Sequence, residues 1–190
     1  MDALLIRGLL IVATLMLGVS PLRAEVFSAA AVKAAYLYRF ASYVEWPADA
    51  PAGPFVIAVA GAEDVASQLE ALLPRMSVNG RPAQVRRATR AADLEGVQIL
   101  YVGPDQLART RALRAAAIKL PILIVTDDAN GLDAGGVINF LEASRNVRFE
   151  ISLLAADRAR LRIDSALLSV AARVERREQV QLPTSERRAQ

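Results

Sequence analysis

The chain has 190 residues, 23 basic against 20 acidic, no histidine and no cysteine. A net charge of +3 spread over that length does not build the phosphate-tracking surface of a nucleic-acid-binding protein. The two missing residue types remove thiol nucleophiles, serine-histidine-acid triads, histidine bases, disulfides and nearly every zinc, copper or haem site.

Arg7 precedes an apolar run from Leu9 to Val19, which Pro21 and the small residue Ala24 close. This order predicts a secretory signal peptide over residues 1–24, cleaved near Ala24, because the run is far shorter than the ~20 apolar residues a spanning helix needs. Loss of Arg7, Arg23 and Asp2 leaves 21 basic and 19 acidic residues. The expected product is a soluble exported chain with no stable membrane insertion, made of one domain over residues 25–178 and a charged, disordered tail over 179–190.

Ser28 is placed to cap a helix whose apolar stripe is Val32, Tyr36, Phe40 and Tyr43. Trp46-Pro47 ends it, and an Ala/Pro/Gly connector follows to Pro54. Phe55 to Ala60 reads as a strand buried on both faces, followed at Gly61 by a helix carrying Val65, Leu69 and Leu72 or Leu73. Asn79-Gly80 marks a turn before a strand at Ala83 to Arg87. A second buried strand spans Val97 to Val102, and Gly103-Pro104-Asp105 opens a helix through Leu107, Ala108, Leu113 and Ala117. Ile122 to Val125 is a third strand. The alternation predicts an α/β fold, a mainly parallel sheet with helices on both faces.

The period then changes from helical to alternating. Ile138 and Phe140, then Val147, Phe149, Ile151 and Leu153, predict a C-terminal antiparallel hairpin about a turn at Ser144 to Asn146. A terminal helix is expected through Leu167, Leu168, Ala171 and Val174.

Asp127, Asp128, Asn130 and Asp133 lie just past a strand end, where α/β sheets often bind ligands. Their spacing does not fit a calcium loop, and turn formation accounts for them better than a metal site. Gly61 and Gly103 each join a strand to a helix without a nucleotide-binding glycine signature. Arg148 and Glu150 share a strand face on which Asn139 also projects, as a recognition surface or as the solvated side of the hairpin. Tyr43 and Trp46 are partner anchors or packing under the connector. No residue set points to catalysis, to a metal or to a cofactor.

Val32-Lys33-Ala34-Ala35-Tyr36-Leu37-Tyr38-Arg39-Phe40 running into Val44-Glu45-Trp46-Pro47, with Ile99-Leu100-Tyr101-Val102, Gly136-Val137-Ile138-Asn139-Phe140 and Asn146-Val147-Arg148-Phe149-Glu150-Ile151, resembles the YfiR family of periplasmic proteins. The resemblance implies a non-enzymatic repressor that binds the periplasmic domain of an inner-membrane diguanylate cyclase, lowers cyclic di-GMP and restrains biofilm formation. It also implies an outer-membrane lipoprotein that sequesters the repressor, and self-association as a homodimer. On this reading the candidate interface is Arg39, Tyr43, Glu45, Trp46, Asn139, Arg148 and Glu150. Some relatives carry disulfides and an asparagine where Ser152 stands, so neither redox control nor a role at that position carries over. The alternatives are a periplasmic small-ligand sensor serving a histidine kinase or transporter, with its crevice near Gly61, Gly103 and Asp127, and a carboxylate hydrolase built on Asp127 and Asp128.

Overall fold

The computed structural model describes residues 28–141 and 147–176; the segment read as a signal peptide, the expected hairpin turn and the expected C-terminal tail lie outside the described residues. Helix α1 (Ala29–Phe40) starts where Ser28 accepts a hydrogen bond from Ala31 N at 3.1 Å. Its buried face is Ala30, Ala34, Leu37 and Phe40. The expected stripe of Val32, Tyr36 and Tyr43 is only half-buried and flanks that face. Two alanines in the buried stripe let the helix backbone come close to the sheet, and the larger side chains are left on the shoulder.

The chain then runs through β1 (Val44–Glu45), β2 (Phe55–Ala60), α2 (Glu63–Leu72), β3 (Ser77–Val78), β4 (Arg81–Arg87) and β5 (Val97–Val102). It continues as α3 (Arg111–Ala117), β6 (Leu123–Thr126), β7 (Ile138–Leu141), β8 (Arg148–Ser152) and α4 (Leu153–Arg158). It ends as β9 (Arg162–Ile163), α5 (Ser165–Val170) and β10 (Arg173–Glu175).

Eight strands form one sheet in the order β10-β8-β7-β6-β5-β2-β4-β3, and β1 pairs with β9 separately. The pairs from β4 to β7 are parallel, while β7 with β8 and β3 with β4 are antiparallel. The expected α/β architecture with its C-terminal hairpin is the observed one.

Strands β2 and β5 are wholly buried because both faces are covered. Phe55, Ile57, Val59, Tyr101, Val125 and Phe140 face the larger core with α1, α2 and α5. Val56, Ala58, Leu100 and Ile124 meet Leu94, Leu113 and Ala117 on the other side. The β2–β5 register shifts at Val56, and the buried Gln98 carboxamide accepts from Val56 N at 2.8 Å, satisfying the amide that the shift would orphan. At the β3–β4 turn Asn79 and Gly80 both have positive φ, +51° and +76°, the mirror-image turn that suits the strand twist.

Three local expectations are corrected. The helix expected from Gly103-Pro104-Asp105 begins only at Arg111, since Asp105 takes the left-handed φ of +57°. Leu153 does not extend the hairpin: Ser152 accepts from Ala155 N at 3.3 Å and caps α4 instead. The terminal helix stops at Val170, and Val174 enters β10, an edge strand parallel to β8.

Before β5 a 3-10 turn (Ala91–Leu94) is closed by Asp93, whose carboxylate accepts from Thr89 N at 2.9 Å and Arg90 N at 3.1 Å. These amides, first that of Thr89, hold its pKa down to about 2, from an ordinary 3.8. A depressed folded-state pKa stabilises above the unfolded value and ceases to do so as pH falls through the folded one. The contribution of Asp93 is therefore full above about pH 4 and lost toward pH 2, where a carbon-detected NMR titration should find its midpoint. A midpoint near 3.8 would refute the cap.

Candidate functional site

Between α1, α2 and α5 lies an open groove of about 1000 Å³. Its floor includes Phe40, Phe149 and Leu167, and small residues of α1 and α5 form the walls. Val170 on α5 is 68% exposed, the most exposed large apolar side chain among the described residues. Arg39 and Tyr43, two of the interface candidates, line the groove at the C-terminal end of α1.

Glu45 and Trp46 follow directly. Glu45 is exposed and pairs with Arg162 at 3.6 Å. The Trp46 ring packs edge-on against Phe55, 5.3 Å between centroids, and its Nε1 is buried without a partner among the described residues. Arg148 is exposed at the start of β8.

Asn139 and Glu150 are placed differently from both readings of the hairpin's polar side. They are opposite one another in the β7–β8 register, and both are buried. Asn139 Nδ2 donates to Glu150 Oε1 at 3.0 Å, and its Oδ1 accepts from Thr126 Oγ1 at 2.8 Å and from Asp128 N at 3.3 Å. Arg173 of β10 reaches Glu150 Oε2 through Nε at 2.8 Å and Nη2 at 2.7 Å. This face of the hairpin is covered by the loop from Asp127 to Gly136 and by Arg173. Loop and network are so close that a Cβ at Gly131 would lie 2.1 Å from Asn139 Oδ1 and 2.2 Å from Thr126 Oγ1.

The loop is also pinned at its start. Asp127 Oδ2 accepts from Lys33 Nζ at 2.5 Å and from the Tyr101 hydroxyl at 2.9 Å. Burial, and then the negative charge of Asp127, push the Tyr101 phenol pKa well above its usual value. Asp128 Oδ1 accepts from Asn130 N at 3.2 Å, so this carboxylate shapes a turn. On the far side of the sheet Arg114 is buried, donating to the carbonyls of Leu107 and, at the loop's end, Ala134. Burial first, and the neighbouring charge of Arg111 next, lower its pKa. Neither Lys33 nor Arg114 stood out in the sequence. The available signal was the scarcity of lysine, since Lys33 and Lys119 are the only two.

The crevice expected at Gly61 and Gly103 does sit where the strand order reverses, between β2 and β5. It is filled. The Gln106 side chain lies 2.3 Å from where a Gly61 Cβ would be, and a Cβ on Gly103 would come within 2.6 Å of Gly61 O.

The family model described as YfiR/HmsC-like matches residues 30–172, from α1 to the residue before β10. The chain belongs to the YfiR/HmsC-like family. That family is one of periplasmic regulators. No curated protein matches the chain significantly. Among solved structures, a conserved domain protein from Vibrio cholerae is similar with a TM-score of 0.51 at 14% identity, over 78% of this chain and 61% of that one. This chain thus spans about three-fifths of that structure, and the likeness is one of fold. No helix among the described residues is long and apolar enough to cross a membrane.

Proposed function

We propose that this YfiR/HmsC-like domain is a periplasmic negative regulator, not an enzyme, that binds the periplasmic part of an inner-membrane diguanylate cyclase and holds it inactive. Family membership over residues 30–172 is the observation that carries this reading. The geometry supports it: the conspicuous surface feature is an open apolar groove leading to exposed polar side chains, not a cleft of converging reactive groups.

In this reading Tyr43, Glu45 and Trp46 form the contact face together with Arg39 and Arg148. Asn139 and Glu150 act from inside, by holding β8 and the Asp127–Gly136 loop in place. Inhibition is a population shift: the regulator binds the inactive arrangement of the cyclase better, and shifts it by no more than that difference in affinity. An outer-membrane lipoprotein that captures the regulator would relieve the inhibition by mass action.

Deletion of the gene is expected to raise intracellular cyclic di-GMP, with complementation by the full-length chain and not by one lacking residues 1–24. Unchanged cyclic di-GMP while the partner cyclase is expressed would overturn the proposal. A folded Trp46→Ala protein that keeps full affinity for the cyclase's periplasmic domain would remove Trp46 from the interface.

A further inference from the structure

The groove along α1 is amphipathic along its length. Its far end is walled by the apolar Ala31, Val32 and Ala35 of α1 and Val170 of α5, with Ser169 beside Val170 as a small polar side chain. Its near end carries Arg39 and the Tyr43 phenol. From Ala31 to Arg39, within α1, the run is about 12 Å at the helical rise of 1.5 Å per residue. The end assignments follow from the chain: α5 begins beside Tyr43, whose carbonyl accepts from Asp164 N at 2.9 Å.

Charge is just as one-sided. Among the described residues Arg39 is the only charged one lining the groove, and none of those lining it is a carboxylate. Arg39 forms no ion pair among the described residues. The acidic residue that caps α5, Asp164, is engaged with its own helix, accepting from Ala166 N at 2.7 Å. An apolar trough of this size ending at a guanidinium that no described carboxylate pairs is complementary to a molecule with an apolar tail and an anionic head.

We propose that the groove binds a free long-chain carboxylate, its tail along the alanine-rich half of α1 and its carboxylate on Arg39 with the Tyr43 hydroxyl. This inference does not rest on the cyclase reading. The two are linked, however, because Arg39 and Tyr43 belong to both surfaces, so a bound carboxylate and a bound partner would weaken each other by the same factor.

Calorimetric titration of the folded protein with sodium dodecanoate, kept below its micellar concentration, tests the proposal. The expected result is saturable binding at one site per chain, weakened about tenfold by Arg39→Gln, the loss expected for one charge-assisted contact. Ala35→Trp and Ser169→Trp, at exposed positions that can take a larger side chain without disturbing the core, are expected to abolish binding while leaving the circular dichroism melt unchanged. Absence of saturable binding would overturn the proposal, as would equal affinity for dodecyltrimethylammonium or indifference to Arg39→Gln. Co-sedimentation with phosphatidylglycerol vesicles without uptake of monomeric dodecanoate would also overturn it, by making the face a membrane contact.

Discussion

Replacing Phe40 by alanine is expected to cost about 4 kcal/mol of unfolding free energy, within the range for deleting a buried aromatic ring. The side chain is fully buried. Its ring lies 5.2 Å from that of Phe149, 5.8 Å from Tyr36 and 5.9 Å from Phe140, centroid to centroid. It is the point at which α1 meets the β7–β8 hairpin, so its loss opens a cavity between elements more than 90 residues apart in the chain. Relaxation cannot close that gap easily, because the alanines of α1 already bring the helix near the sheet. Urea denaturation should show a lower midpoint with little change in slope, and Phe40→Leu should lose much less. A loss below about 1 kcal/mol for Phe40→Ala would mean that α1 is not held to the hairpin as described.

The second large effect is expected at Asn139. Leucine has a similar volume but no hydrogen-bonding group, so Asn139→Leu leaves one oxygen of the buried Glu150 carboxylate without its partner and the Thr126 hydroxyl with only the weaker acceptor Ile138 O at 3.4 Å. Stranding buried polar groups in this way costs about 3 kcal/mol, whereas Arg148→Ala, two residues before Glu150 but exposed, should change stability by less than about 0.5 kcal/mol. Equal losses from the two variants would show that the hairpin's polar face is solvated after all. Hydrogen exchange offers a more local reading. The Asp128 amide, which donates to Asn139 Oδ1 at 3.3 Å, should lose protection in Asn139→Leu before the central strands do.

The two variants also divide what local pattern and tertiary contact each decide. Apolar runs without alternation at Phe55–Ala60 and Val97–Val102 were enough to place two central strands, since only a strand covered on both faces tolerates such a run. Ser28 marked the start of α1, alternation from Ile138 and from Val147 marked the hairpin, and the absence of histidine and cysteine bounded the chemistry. Period two also identified correctly which side of the hairpin is apolar.

It could not say what covers the other side. That was decided by Arg173 from β10 and by the Asp127–Gly136 loop, which turn Asn139 and Glu150 from surface candidates into buried, paired groups. The same limit explains the Lys33–Asp127 pair, whose partners are 94 residues apart, and the groove, whose walls come from α1, α2 and α5. It explains Val174 as well: three residues after Ala171 it fits a helical stripe, yet the free edge of β8 captures it as a strand. Local sequence sets the period and polarity of each segment, because these depend on neighbours within a few residues. Burial, ion pairing and the shape of a surface depend on which distant segments meet, and only the packed chain determines that.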